Sequence, residues 1–185
     1  TTHDSRRAPM SDLPISFDGP RKKNRIAQYR WVVIAAIALG AILFQVYVPR
    51  FISYLSYLEL PLLVTLYFSA MRRSPTLGVF LGMVIGLAQD SLSANPLGMF
   101  GIVKTLCGYF GATVSQRFHV ESSGARFVLA GFFFVFHQFF YWVLGRALLG
   151  QPITLDLPQT LVMAILNALV AVPLYHILDK LRVSE

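Results

Sequence analysis

The sequence predicts an all-α integral membrane protein with six transmembrane helices, and three observations carry that reading. Of 185 residues, 55% are hydrophobic and only 14% charged, with mean hydropathy +0.58. Average soluble domains carry about 25% charged residues, so this chain lacks the polar side chains to coat a water-facing surface. Its apolar residues run in continuous stretches of helical length and do not alternate as membrane strands do. Its Lys and Arg residues fall in every second connection. The same composition excludes other classes. One Cys leaves no disulfide framework and no Cys-based zinc finger, and a chain this aromatic and this poor in charge is not disordered.

A helix needs roughly 20 residues to cross a ~30 Å hydrocarbon core. Ahead of the first span, residues 1–29 are rich in Arg, Lys, Pro and Ser without apolar periodicity, which predicts a mobile cytoplasmic arm. The first span runs from Arg30 to Val48, broken only by Gln45. The second runs from Phe51 to Met71 but is interrupted by Glu59 and Pro61, so its dependable part is Leu60 to Met71. The third covers Leu77 to Gln89 and the fourth Met99 to Val114. The fifth, Phe127 to Leu149, and the sixth, Leu157 to Leu178, are long. Residues 30–180 thus form one transmembrane domain, and 181–185 a short cytoplasmic tail.

Charge tests the count. Six spans put thirteen of the sixteen Lys/Arg on the arm's side: seven in the arm and its junction, then Arg72 and Arg73, Arg117 and Arg126, Lys180 and Arg182. Arg50 and Arg146 lie opposite, and Lys104 falls inside a span. That bias places both termini in the cytoplasm, whereas five spans would break the alternation. A cleaved signal peptide does not fit, because the first apolar run is long for one and five more follow. The cluster Arg21 to Arg25 reads as a topology signal; alternatively it attracts anionic headgroups at about 1 kcal/mol per charge. It lacks the interleaved aromatics or folded platform of a nucleic-acid site.

Gly78, Gly82 and Gly86 lie four apart on one stripe of the third span, and Gly98, Gly101, Gly108 and Gly111 follow in and before the fourth. Small residues allow close helix approach in lipid, so these two spans are expected at the packed centre of the bundle; room for a small ligand is the alternative. Ala36 and Gly40 make a weaker stripe suited to an external partner helix. Between Phe127 and Trp142, nine of sixteen residues are aromatic and surround their helix, so several face lipid or a partner.

Charges inside spans are costly and usually face inward. Glu59, Asp90 and Lys104 all fall toward the outer leaflet. Asp90 ends the third span, and Asn95-Pro96 with Gly98 forms the turn that follows. Lys104 lies six residues after Gly98, about 9 Å along a helix, and its stem is expected to snorkel back toward Asp90. An Asp90–Lys104 pair would cancel both charges and fix the hairpin, while Glu59 joins them or reaches headgroup water. His137, Gln138 and Asn167 lie deeper and read as interhelical hydrogen-bonding groups worth ~0.6 kcal/mol each. His137 has no His, Asp, Glu or Cys three or four residues away, so no metal is expected. Without a G-x-S-x-G elbow, an H-E-x-x-H helix, a membrane Asp pair or a P-loop, neither a cofactor nor an enzymatic activity is expected.

The stretch Glu59-Leu-Pro-Leu-Leu-Val-Thr-Leu-Tyr-Phe-Ser-Ala with Arg72-Arg73-Ser-Pro resembles the rod shape-determining protein MreD family. So does Gly78-Val-Phe-Leu-Gly82, then Gly86-Leu-Ala-Gln89-Asp90, then Asn95-Pro96-Leu97-Gly98. The specific match covers roughly residues 59–117; the last two spans match in character. The resemblance implies a bacterial inner-membrane scaffold or regulator of cell elongation without chemistry of its own. It implies MreC as partner and, through it, the MreB filament and the RodA/penicillin-binding-protein peptidoglycan synthase. It also implies a fold similar to the six-helix S component of energy-coupling-factor (ECF) vitamin transporters, which keeps a substrate-binding S component as the alternative. The residues expected to shape the packing or partner interface are Glu59, Gly78, Gly82, Gly86, Gln89, Asp90, Asn95, Pro96, Gly98 and Lys104.

Overall fold

The computed structural model describes residues 31–93, 96–118 and 120–181; the basic arm, Asn95 and residues 182–185 lie outside the described residues. Every regular element among those described is helical: α1 Trp31–Tyr47, α2 Leu60–Arg72, α3 Pro75–Leu92, α4 Met99–Arg117, α5 Ser123–Ala147 and α6 Leu157–Lys180. Two 3₁₀ turns follow α1, Val48–Arg50 and Ser53–Tyr57, and the second stands in the first part of the expected second span. Glu59 and Pro61 explain that change. Proline without its N–H belongs in a first helical turn, so α2 begins at Leu60 with Pro61 in its first turn instead of running through it. α3 and α6 also open with a proline in the first turn. Ser74, Ser122 and Asp156 cap α3, α5 and α6, their side-chain oxygens accepting from Leu77, Ala125 and Gln159 amides.

Six helices stand where six spans are expected, and four of them are long and apolar enough to cross a membrane: α1 with its following turn, α3, α5 and α6. The other two are central. α2 has 13 residues, about 20 Å of helix, and ten of them are buried. α4 is long enough but carries buried Lys104 and Ser115 along with its glycines.

α3 and α4 form a hairpin whose backbones touch. A Cβ added at Gly82 would stand 2.6 Å from the carbonyl carbon of Lys104, one at Gly78 2.7 Å from that of Gly108, and one at Gly86 2.6 Å from Cα of Gly101. These are rigid backbone neighbours, so the three glycines are what permits this approach. Apolar packing divides into two clusters sharing α2. One gathers Ile34 and Ile42 of α1 with Tyr67 and Phe68 of α2 and Tyr175 of α6; the other gathers Leu62 and Leu66 with Val103, Cys107, Phe133 and Phe134. The aromatics of α5 do surround it: Phe133 and Phe134 are buried while Phe132 and Phe139 are exposed.

The basic connections gather at one end. Arg72 lies over the Trp31 ring at 5.0 Å, Arg73 stands 3.7 Å from Glu121, and Arg126 pairs with Asp179 at 2.7 Å. Arg50 ends the turn that follows α1 and Arg146 stands in the last turn of α5, at the opposite ends of those helices.

Candidate functional site

Asp90 sits in the last full turn of α3, 1% exposed. Its Oδ2 accepts from the amides of Gly98 at 2.9 Å and Gly101 at 3.0 Å, and its Oδ1 from that of Phe100 at 3.2 Å. The first amides of a helix have no partner within it and carry the positive end of its dipole. Asp90 therefore caps α4 from the neighbouring helix. Gly98 makes the geometry possible, since its φ of +100° turns the chain where a side chain would be strained. Pro96 precedes it, its carbonyl accepting from Met99.

The expected Asp90–Lys104 pair does not form. The α4 amides hold the carboxylate, and Lys104 points instead toward α2 and α5. Fully buried, its Nζ stands 3.4 Å from Oε2 of Glu59, 3.4 Å from Nε2 of His137 and 4.3 Å from the centre of the Phe100 ring. Lysine only donates, so His137 Nε2 accepts and its ring proton lies on Nδ1. Phe100, His137 and Tyr141 stack nearly parallel, with interplanar angles of 9° and 22° from Phe100. Glu59 is held in turn. Its amide donates to Oδ1 of Asn167 at 2.9 Å, and Asn167 donates to the Tyr57 carbonyl at 2.8 Å. Asn167 and His137 each lie ten residues from the nearer end of their helix, about 15 Å along it. The ionic centre therefore lies well inside the bundle.

Beside it opens a cavity of about 320 Å³, lined by Gln45, Val46, Arg50, Ser56, Glu59, Gln89, Leu92, Ser93 and Phe100. Gln89 is 3% exposed, and its Oε1 has no hydrogen-bond partner; nor does Oε1 of Gln45, whose Nε2 donates to the Ser56 carbonyl. Of the residues expected at an interface, Glu59, Gln89, Asp90, Gly98 and Lys104 converge on this end, Gly78 lies far along α3, and Asn95 is outside the described residues.

A second ionic centre occupies the other end. Arg126 is buried and donates to Asp179 at 2.7 Å, and the Tyr67 hydroxyl donates to the other oxygen of that carboxylate at 2.7 Å. The Tyr175 hydroxyl donates to the Leu63 carbonyl. Read from sequence, Arg126 counts only as a topology charge. The available signal was that Arg126 opens the fifth helix and Asp179 closes the sixth, which antiparallel neighbours bring together.

A family model for the rod shape-determining protein MreD matches residues 25–183, nearly the whole chain. The chain belongs to the MreD family. It is therefore a rod shape-determining membrane protein, and the family is one of shape determination, not catalysis. The Gln89-Asp90 and Pro96-Leu97-Gly98 segments that resemble MreD are the two halves of the α3–α4 cap. No curated protein and no solved structure matches the chain.

Proposed function

We propose that this MreD-family chain is a non-enzymatic inner-membrane scaffold of the cell-elongation machinery, with both termini cytoplasmic, and that it docks the transmembrane helix of MreC. Through MreC it acts with the MreB filament and the RodA/penicillin-binding-protein synthase in peptidoglycan synthesis. One observation carries the docking: the outward face of α1. Ala36, Leu39, Gly40 and Leu43 are exposed along one face of α1, and a Cβ added at Gly40 meets nothing within 4 Å. A small-residue stripe open on the outside of a bundle is where a second helix can approach closely.

The test follows from that open space. Gly40→Leu leaves the bundle's own packing intact but fills the groove, so MreC is expected to stop co-purifying while the thermal stability of the isolated chain stays unchanged. Undiminished co-purification refutes the α1 docking face. If a stoichiometric vitamin and an ATPase co-purify in gentle detergent in place of MreC, the S-component reading replaces the scaffold.

A further inference from the structure

We infer that the helix docked on α1 carries an aspartate or glutamate that pairs with Arg50. The inference rests on the docking face proposed above and adds the chemistry by which that face selects its partner.

The exposed face of α1 does not stop at Leu43. Val32, Ala36, Leu39, Leu43 and Tyr47 recur at helical spacing and are all exposed, and the turn Val48–Arg50 carries the face one step further. In a 3₁₀ turn residues three apart eclipse, so Arg50 stands over Tyr47, its guanidinium 5.2 Å from the ring centre. The apolar stripe thus ends in an exposed cation, at the end of the bundle opposite the basic connections. The carboxylates at this end are already engaged. Glu59 lines the same cavity as Arg50 but holds Lys104, Asp90 accepts from three amides at the start of α4, and Asp156 caps α6. Among the described residues Arg50 has no carboxylate partner.

A helix packed along this stripe takes water from Tyr47 and from the guanidinium above it. A charge desolvated without a partner is costly, so a wholly apolar helix is penalised at this level and one bearing a carboxylate is not. The guanidinium fork takes a carboxylate in bidentate fashion, and its place over the Tyr47 ring reduces the freedom it loses on pairing. The same geometry positions the acid. From Gly40 the face rises through α-helix to Tyr47 and then through the 3₁₀ turn to Arg50, about 16 Å in all. A partner helix covers that height in about eleven residues, which is about three turns and returns to the same face. The acid is therefore expected about eleven residues from the small residue that faces Gly40, toward the end away from the basic connections.

The test is co-purification of the full chain with co-expressed MreC, the partner proposed above. Arg50→Glu is expected to lower the MreC retained about tenfold. Exchanging each Asp and Glu near that end of the MreC helix for Arg, one at a time, should restore retention at a single position. Arg50→Lys keeps the charge without the fork and should fall between the unaltered chain and Arg50→Glu. Arg50 is exposed, so the isolated Arg50→Glu chain should melt as the unaltered one does; should it not fold, Arg50→Gln carries the test with a several-fold loss. Undiminished retention in Arg50→Glu, while Gly40→Leu abolishes it, overturns the pairing and leaves the docking face standing. Undiminished retention in both variants overturns the docking face and the pairing with it. A loss that no exchange in MreC restores also overturns the pairing. If phosphatidylglycerol retained in native mass spectrometry falls with it, Arg50 holds a lipid phosphate instead.

Discussion

Exchanging Glu59 for Gln removes the counterion of a lysine that has no route to water. The Lys104 ammonium is fully buried, and without the carboxylate it keeps only His137 Nε2 at 3.4 Å and the Phe100 ring at 4.3 Å. Two unit charges 3.4 Å apart attract by about 5 kcal/mol at an effective dielectric near 20. Desolvation offsets part of that, and Glu59 retains 13% side-chain exposure toward the cavity. A net loss of about 3 kcal/mol is expected for Glu59→Gln, in the range for breaking a buried pair. Lys104→Met should cost less, about 1–2 kcal/mol, because the stranded carboxylate borders the cavity and methionine fills the same space. The double variant should resemble Lys104→Met alone, giving a coupling of about 2 kcal/mol or more in a double-mutant cycle.

Reversible unfolding in mixed dodecyl sulfate micelles, followed by the fluorescence of Trp31 and Trp142, measures all three variants. The cycle Asp90→Asn with Lys104→Met is the control. Its coupling should stay below about 1 kcal/mol, since the two groups are not partnered and share only Phe100. Additive behaviour of Glu59→Gln and Lys104→Met, or rescue of Asp90→Asn by Lys104→Met, refutes the assignment of Glu59 as counterion.

Asp90→Asn itself should cost about 2 kcal/mol in the same assay, since the new amide group cannot accept from Phe100 and the charge at the head of α4 is lost. Gly82→Ala forces a methyl into the Lys104 backbone and should cost about 2–3 kcal/mol, whereas Gly40→Ala should change unfolding by less than about 0.5 kcal/mol. Asp179→Ala leaves the buried Arg126 guanidinium without its carboxylate and the Tyr67 hydroxyl without its acceptor. It should destabilise by about 3 kcal/mol, and retention of full stability would mean that the second ionic centre is incidental.

The number and order of helices were legible because apolar run length reports helices directly, and all six cores, taking Leu60 to Met71 for the second, lie within a few residues of their expected bounds. The contact of α3 and α4 was legible because glycines four apart leave few other uses. The pairing of charges was not. Sequence spacing puts Lys104 within reach of Asp90 across a hairpin, but spacing is blind to the unmet amides at the start of α4, which compete for the same carboxylate and lie closer. Nor does spacing show which side of α4 bears Lys104, and that face is fixed by the glycines: with Gly101 and Gly108 turned to α3, Lys104 is left facing α2 and α5. The cavity was invisible for a related reason, since it depends on residues 51–58 being turns where an apolar stretch predicts helix.

Those turns follow from the length of α2. About 20 Å of helix cannot cross a ~30 Å core, yet α2 is the most enclosed helix in the bundle. Its two ends therefore need protein partners where a full-length span would find water. At one end Asn167 takes the Glu59 amide and the Tyr57 carbonyl; at the other, Arg73 leaves the helix at φ +48° and its carbonyl accepts from Gln116. Each ionic centre lies against this helix, Glu59 at its start and Tyr67 on its later half. A central helix too short to span obliges the chain before it to descend into the bundle, and a descending chain leaves polar space above it. The cavity and the buried lysine are thus two consequences of one short helix. Lengthening α2 into residues 51–58, by replacing Pro61 and Glu59 with leucine, should close the cavity and strand Lys104 together.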